Sequence, residues 1–222
     1  MTSDSLVEQV AQLEKFGEVL KKGQDAREFF RRNHFTDGLK RLVEQGLARL
    51  AGRSEQGSFY LTQAMGGGKT HSLLAIGLLA ADAKLRKEVL SSNQANTDFG
   101  SAKVVIVSGL QSPENLLWGH IAEKAGRPEP MARFWRNGAK TPGVDEWAAV
   151  LGTEPILVLL DELPSYLQMA QGEPVGSTTL GDLTIGSLER LFNALDRCPR
   201  ACVVVTNLKD DFYLDGSGQL KL

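Results

Sequence analysis

The chain has 222 residues, of which 42% are apolar and 23% charged, and its formal net charge is −2. This composition is ordinary for a globular protein with one substantial domain, or one domain with a small appendage. The net charge argues against a dedicated nucleic-acid coat or a polybasic membrane binder, and no apolar run approaches the roughly 20 residues of a membrane helix.

Residues 1–54 are predicted to form an amino-terminal helical module. Apolar residues recur on one face of a first helix between Leu6 and Leu20, and DAREFFRRNHF predicts a second helix. A third helix is predicted to begin after Thr36, a residue type that caps helix amino termini. The opening MTSDSLVEQVAQLEK lacks the basic start and the continuous apolar core of a secretory signal.

Residues 55–210 are predicted to form the core domain, in which strands and helices alternate. The predicted strands begin at Ser58, Lys103, Pro155 and Ala201. THSLLAIGLLAADAKLRKEVL predicts one long helix, PVGSTTLGD a mobile loop, and residues 211–222 an unstructured tail. This alternation predicts an α/β fold with a mostly parallel sheet between two helical layers. In such folds ligands bind outside the carboxyl ends of the strands.

The stretch QAMGGGKTH has the composition of a phosphate-binding loop. Polyphosphate is bound by several inward-facing N–H groups, and glycines allow the positive φ angles that such a concavity needs. We expect Lys69 to reach the β- and γ-phosphates of ATP and the Thr70 hydroxyl to bind Mg²⁺. The alternative is a flexible turn with a solvated lysine. The candidate nucleotide-binding residues are Gln63, Ala64, Met65, Gly66, Gly67, Gly68, Lys69, Thr70 and His71.

The loop departs from the usual G-x-x-x-x-G-K-[ST] pattern at its first position. Gly68, Lys69 and Thr70 match the pattern, whereas Gln63 stands where the first glycine is expected. That glycine eases the turn off the strand and is not the main phosphate contact. Gly66 and Gly67 can supply the missing conformational freedom a few residues later.

Two acids follow the apolar run ILVLL, which has the character of a strand covered on both faces. Asp161 is expected to bind a water of the Mg²⁺ shell, and Glu162 to orient and deprotonate the water that attacks the γ-phosphate. The alternative is a solvated pair of acids at the start of the next helix, where negative charge is favourable.

A polar pair also ends the later run CVVVTN. Thr206 or Asn207 is expected to hydrogen-bond the attacking water or a phosphate oxygen. The alternative is an ordinary strand end with a turn-forming asparagine. With Lys69 and Glu162, these two residues complete the set of candidate catalytic residues.

The cysteines, Cys198 and Cys202, stand close together in CPRAC. Two cysteines exclude a disulfide scaffold, so we expect a reducing, cytoplasmic location. A single C-x-x-x-C without a second ligand pair is weak support for zinc, and burial beside a strand is the alternative.

Together, these motifs resemble the P-loop ATPases with an additional strand and a catalytic glutamate. More narrowly, FFRRNHFTDGLKRLVEQGLARLAG, YLTQAMGGGKTHSLLAIGLL, NLLWGHIAEKAG and PILVLLDELPSY are similar to the bacterial ATP-binding proteins of the domain-of-unknown-function 499 family. Members of that family also lack the first glycine of the loop. The resemblance implies an AAA-type ATPase that uses ATP and Mg²⁺, and family members are often encoded near phage-defence genes.

The resemblance also implies a longer protein with a sheet of five strands. Only four strands are predicted here, so we expect an amino-terminal part, with the fifth strand, the arginine finger and the helical lid beyond Leu222. The arginines Arg190, Arg197 and Arg200 precede the last predicted strand. They are therefore expected to be solvated helix charges or neighbours of a partner subunit.

The leading functional hypothesis is an ATPase that couples Mg²⁺-dependent hydrolysis to conformational work within a homo-oligomer or a larger complex. The alternatives are a nucleotide-gated scaffold without useful turnover and a DNA translocase subunit, for which the net charge gives no support. A phosphotransferase is disfavoured because acids after the strand favour activated water over a hydroxyl acceptor. No membrane partner is expected.

Overall fold

A computed structural model describes residues 23–32, 35–61, 68–90, 98–109, 116–136, 138–206, 213–214 and 220–221. The helices are α1 (Gly23–Arg32), α2 (Asp37–Leu50), α3 (Lys69–Ala81), α4 (Ala83–Val89), α5 (Leu116–Ala125), α6 (Val144–Leu151), α7 (Leu163–Gln171) and α8 (Leu180–Ala194). The strands are β1 (Ser58–Leu61), β2 (Lys103–Ser108), β3 (Ile156–Asp161), β4 (Pro174–Val175), β5 (Thr178–Thr179), β6 (Ala201–Thr206), β7 (Tyr213–Leu214) and β8 (Leu220–Lys221). Short 3₁₀ turns span Ala132–Phe134 and Leu195–Arg197.

Within the described residues, four strands form the main sheet, in the order β1-β6-β3-β2, and every neighbouring pair is parallel. The predicted α/β class and the predicted number of strands in this sheet are therefore confirmed. Leu61 pairs with Thr206, and Ser108 pairs with Asp161. The carboxyl ends of the strands are consequently level, and the side chains that follow them meet at one edge of the sheet.

Each face of the sheet has its own apolar layer, because side chains alternate between the two faces along a strand. Leu157 and Leu159 of β3 pack with α2 and α3 on one face. Val158 and Leu160 pack with helices α5 to α8 on the other. All six residues of β3 are buried, as are all six of β6, so the prediction of strands covered on both faces is confirmed. The result is a three-layer α/β/α arrangement.

The predicted cap at Thr36 is confirmed, whereas the prediction of one long helix after β1 is wrong. The Thr36 side chain accepts a hydrogen bond from the Leu39 amide at 3.3 Å, and α2 begins at the next residue. The long helix predicted after β1 is interrupted at Asp82, whose carboxylate accepts from the Lys84 and Leu85 amides and starts α4. An aspartate competes with helical hydrogen bonding in this way because its short side chain reaches nearby amides.

The segment expected to be a mobile loop is ordered by short-range hydrogen bonds. β4 and β5 form an antiparallel pair, with Gly176 at φ 62° in the turn. Thr179 and Asp182 then form a capping box at the start of α8. In the tail, β7 pairs with β8, where the sequence predicts no regular structure. The first predicted helix, between Leu6 and Leu20, lies outside the described residues.

Arginine side chains tie helices to main-chain carbonyl groups at the amino-terminal edge of the sheet. Arg49, near the end of α2, is only 4% exposed. Its guanidinium donates to the carbonyl oxygens of Ser54, Glu55, Leu195, Cys198 and Ala201. A planar group with five N–H donors can satisfy this many acceptors, so one side chain joins α2 to the start of β6.

Arg86 plays a similar part beside β2. Its guanidinium donates to Leu79 O at 2.8 Å and to Gly100 O at 2.6 Å, and it lies 3.9 Å from the centroid of the Phe99 ring. The end of α3 is thereby joined to the segment that enters β2.

The two outer strands of the main sheet differ in what lies beside them. Lys124 of α5 donates from Nζ to the Ile106 carbonyl oxygen of β2 at 2.7 Å. Among the described residues, no strand pairs with the outer side of β1. The Tyr60 ring of β1 packs edge-on against Phe192, with ring centroids 5.8 Å apart. In the described part of the chain no helix is long and apolar enough to cross a membrane.

Candidate nucleotide and metal site

The candidate site lies at the carboxyl edge of the sheet, where the ends of β3 and β6 meet the start of α3. Thr70 Oγ1, in the first turn of α3, donates to Asp161 Oδ2 at 3.2 Å. Asp161 is the last residue of β3 and is 7% exposed. The helix after the glycine-rich loop and the strand that ends in two acids therefore contact each other through their predicted functional side chains.

Thr206 is the third residue of this group. Its Oγ1 donates to Asp161 Oδ1 at 2.5 Å and accepts from the Glu162 amide at 3.1 Å. The Glu162 amide also lies 3.1 Å from Asp161 Oδ1. Asp161 Oδ1 is thus held by the Thr206 hydroxyl and the Glu162 amide, while Oδ2 accepts from Thr70. Asp161 consequently has a fixed orientation, which helps a carboxylate that is to bind a cation.

Glu162 has a left-handed backbone, with φ 54° and ψ 34°, and it immediately precedes α7. A non-glycine residue in this region is uncommon and is maintained only where the surroundings enforce it. The Glu162 carbonyl oxygen accepts from the Ser165 amide at 3.0 Å, and its Oε2 atom is buried. The strand therefore turns sharply into α7 at the acid that is the candidate general base.

The described end of the glycine-rich loop has the geometry of a helix start. Gly68 has φ 77° and precedes α3, and its carbonyl oxygen accepts from the Ser72 amide at 2.9 Å and from Ser72 Oγ at 3.1 Å. Lys69 is 7% exposed. The candidates Gln63, Ala64, Met65, Gly66 and Gly67 lie outside the described residues, as does Asn207. Their predicted roles stay predictions.

His71 lies against α1. Its ring stacks on Phe29, with centroids 4.5 Å apart and an interplanar angle of 26°. Burial lowers the pKa of His71, which favours the neutral imidazole. This contact joins the first turn of α3 to the amino-terminal helices, in keeping with a packing role on the helix face.

The donor set suits Mg²⁺. The Thr70 hydroxyl and the Asp161 carboxylate are the hard oxygen ligands that this ion prefers, and Mg²⁺ commonly takes only one or two protein ligands beside water and phosphate. Thr70 and Asp161 would hold the ion between them. The described residues contain no cluster of three or more histidines, cysteines or acids that could hold a metal.

The three arginines before β6 bond other residues of the chain. Arg190 donates to Gly186 O within α8 at 2.8 Å. Arg197 Nη1 lies 2.5 Å from Asp145 Oδ1, and Arg200 Nε donates to Leu50 O at 3.3 Å. Arg197 and Arg200 stand beside the start of β6, at the opposite edge of the sheet from Asp161. All three thus have partners within the chain.

The cysteines and tryptophans pack within the molecule. Cys198 and Cys202 are buried free thiols, and burial raises the pKa of Cys202 to about 12. Trp118 and Trp147 are fully buried, whereas Trp135 is half-buried with Arg136 5.7 Å from its ring centroid. The interpretation of the cysteines as small residues beside a buried strand agrees with their positions.

Sequence reasoning missed two features of the site. The bonds of Thr206 to the Asp161 carboxylate and the Glu162 amide were not predicted, and the expected contact of Thr206 or Asn207 with water or phosphate stays a prediction. Gly109, directly after β2, was not a candidate, although a Cβ atom there would lie 2.1 Å from the Glu162 carbonyl oxygen. The only sequence signal for this close contact is a glycine at the end of a strand.

Comparison with known proteins gives one family. The model of the DUF499 N-terminal domain matches residues 4–217 of the chain. The search of curated proteins found no match to the chain.

Proposed function

The chain belongs to the DUF499 family, and from that premise we propose that its α/β domain is an ATPase that binds ATP with Mg²⁺ and hydrolyses the γ-phosphate. The observation that carries the proposal is the 3.2 Å hydrogen bond from Thr70 Oγ1 to Asp161 Oδ2. It joins the residue after the loop lysine to the acid at the end of the neighbouring buried strand. That juxtaposition is what a shared Mg²⁺ ion between loop and strand requires.

Each residue has a distinct part in the proposed reaction. Bound Mg²⁺ would neutralise charge on the β- and γ-phosphates. Lys69, at the positive end of α3, adds a second cation for the same oxygens. Asp161 orients the ligand set, and Thr206 keeps its carboxylate from rotating. Glu162 accepts the proton of the attacking water as the oxygen–phosphorus bond to the leaving ADP breaks.

Turnover by this chain alone is expected to be slow. Arg197 and Arg200 have partners beside the start of β6, away from the carboxyl edge, and Arg190 donates to a main-chain carbonyl of its own helix. A cation contributed from elsewhere, such as a neighbouring subunit, can raise the rate by about 10³-fold or more in related reactions. We therefore propose that full activity needs an assembly, and that turnover drives conformational work within it.

The test compares ATP binding and ATP hydrolysis in the purified full-length protein, its Lys69→Ala and Glu162→Gln variants, and two control variants. Lys69→Ala is expected to lose both properties. Glu162→Gln is expected to keep Mg²⁺-dependent stabilisation by ATP and to lose at least about 10²-fold in turnover, the range for a general base. Lys40→Ala and Glu44→Gln make the same chemical changes on the exposed face of α2.

Two outcomes would count against the proposal. Equal hydrolysis rates in wild type, Lys69→Ala and Glu162→Gln would show that this site does not perform the reaction. Tight Mg²⁺-dependent ATP binding without turnover in the assembled protein would favour the nucleotide-gated scaffold instead.

A further inference from the structure

The end of β2 lies directly against the main chain of Glu162. Gly109, the residue after β2, donates its amide hydrogen to the Asp161 carbonyl oxygen at 2.8 Å. A Cβ atom at position 109 would lie 2.1 Å from the Glu162 carbonyl oxygen and 2.8 Å from the carbonyl carbon. Both are backbone atoms, so no side-chain rotation relieves the contact.

The requirement for glycine at position 109 comes from this contact and not from the backbone angle. Gly109 is absent from the glycines with positive φ, whereas Gly68, Gly100 and Gly152 are among them. An alanine would therefore be acceptable to the Gly109 backbone itself. Its methyl group would nevertheless have to displace the carbonyl group of Glu162.

That carbonyl group closes the first turn of α7. The Glu162 oxygen accepts from the Ser165 amide at 3.0 Å and from the Tyr166 amide at 3.4 Å. Glu162 itself has the left-handed φ of 54°, a conformation that persists only when neighbours enforce it. Gly109 is one such neighbour, since it touches the peptide group that follows this unusual φ angle.

A second contact supports the same turn from the start of α5. The Leu117 amide donates to the Tyr166 hydroxyl at 3.1 Å, and Tyr166 is 2% exposed. The Cβ atom of Tyr166 would lie 3.2 Å from a Cβ at position 109. Gly109, after β2, and Leu117, at the start of α5, thus both contact residues in the first turn of α7.

We propose that Gly109 is a positioning residue for Glu162. By allowing β2 to approach the Glu162 main chain, it fixes the left-handed turn and hence the direction of the carboxylate that activates water. The proposal rests on the ATPase function proposed above. It adds that the glycine after β2, which has no side chain to take part in the chemistry, influences the rate of the chemical step.

Gly109→Ala is the direct test, with Gly38→Ala as its matched control. Gly38 lies in the first turn of α2 with nothing within 4 Å of its added Cβ. Gly109→Ala is expected to lower kcat about 30-fold, within the roughly 10²-fold effect of a 1 Å misplacement of a reacting group. Its Kd for Mg²⁺-ATP should stay within about threefold, because binding depends on Lys69, Thr70 and Asp161. Gly38→Ala should change neither quantity.

Amide hydrogen exchange supplies a readout that needs no turnover. Displacing the Glu162 carbonyl weakens the bonds from the Ser165 and Tyr166 amides, so their exchange in Gly109→Ala should accelerate about tenfold. Exchange at Ser72, which bonds Gly68, should not change. If wild type lacks turnover, the proposed ATPase function fails, and exchange at Ser165 and Tyr166 still decides whether Gly109 holds the turn.

Tyr166→Phe covers the case in which Gly109→Ala does not fold. It adds no bulk and removes the hydroxyl that accepts from the Leu117 amide and also hydrogen-bonds the Thr184 side chain. We expect faster exchange at Leu117 and a fall in kcat of about threefold to tenfold, with unchanged nucleotide affinity. Unchanged kcat and unchanged exchange at Ser165 and Tyr166 in a folded Gly109→Ala protein would overturn the proposal. If only Tyr166→Phe folds, unchanged kcat and unchanged amide exchange at Leu117 in that variant would overturn the proposal.

Discussion

The two ends of the sheet are held together by different kinds of hydrogen bond. At the carboxyl end, the side chains of Thr70, Asp161 and Thr206 bond one another. At the amino end, the Arg49 guanidinium bonds five main-chain carbonyl oxygens. Side-chain bonds can be exchanged for bonds to a ligand without moving the backbone. Bonds to the main chain fix the helices and strands themselves.

We therefore expect residues at the amino end of the sheet to contribute mainly to stability and residues at the carboxyl end mainly to chemistry. Substitutions at the amino end should alter the free energy of unfolding and leave nucleotide properties of the folded molecules intact. Substitutions at the carboxyl end should alter turnover more than the free energy of unfolding. Variants at each end therefore test the separation in turn.

Asp161→Asn should give the largest effect, and it should be on turnover. Asparagine keeps the shape and can still accept from Thr206, so the midpoint of urea unfolding should move little. It lacks the negative charge for Mg²⁺, and we expect turnover to fall about 10³-fold, comparable to the loss of one preorganised electrostatic group. Steady-state ATP hydrolysis at saturating Mg²⁺ measures this. A large loss of stability with normal turnover would contradict the expected difference between the two ends of the sheet.

Arg49→Met should come next, with its effect on stability. Five carbonyl groups lose a charged donor, three of them in buried contacts, and the expected decrease in the free energy of unfolding is about 3 kcal/mol. Urea unfolding measures it, with Arg41→Met on the exposed face of α2 as the control. Nucleotide affinity per folded molecule should stay as in wild type. An altered affinity would mean that the two ends are coupled.

Thr206→Val should affect both properties moderately. The substitution removes the hydroxyl between Asp161 Oδ1 and the Glu162 amide, which should lower the free energy of unfolding by about 1–2 kcal/mol. Because Asp161 is then less firmly oriented, turnover should fall as well. Thr206→Ser keeps the hydroxyl and should stay close to wild type in both urea unfolding and ATP hydrolysis.

At neutral pH the smallest effect is expected from Cys202, near the amino end of β6, because its contribution to stability changes only at alkaline pH. Burial raises the pKa of this thiol from 9.0 to about 12, so the folded protein holds it neutral while an unfolded chain ionises it. The stabilisation is complete below pH 9 and is lost as the pH rises from 9 toward 12. In urea unfolding measured at a series of pH values, the free energy of unfolding should decline less with rising pH in Cys202→Ala than in wild type. Parallel declines in the two proteins would contradict this assignment.

The sequence was sufficient for features that depend on neighbouring residues. Continuous apolar runs predicted β3 and β6, and Thr36 was identified as a cap because its preference is local. The acids at the end of β3 and the threonine at the end of β6 were predicted to lie at one edge of the sheet from the parallel arrangement alone. That edge is where the structure brings Asp161 and Thr206 together.

Features that depend on distant residues were not predictable in this way. The contacts of Arg49 reach positions 146 to 152 residues away, and no local pattern distinguishes it from a solvated helix arginine. The contact of Gly109 with Glu162 likewise appears only once β2 and β3 are neighbours. Asp82 is an intermediate case, because an aspartate within an apolar helical run can either be solvated or start a new helix.

Lys124, beside β2, affects how readily copies of the chain can aggregate by adding strands to this edge of the sheet. An outer strand with open carbonyl groups is a template on which a strand of another molecule can add, and a charged ammonium group deters such growth. Lys124 Nζ already occupies the Ile106 carbonyl oxygen. Among the described residues, therefore, a lysine side chain of a helix contributes to protection against strand addition along β2 at high concentration, and this contact does not depend on a partner.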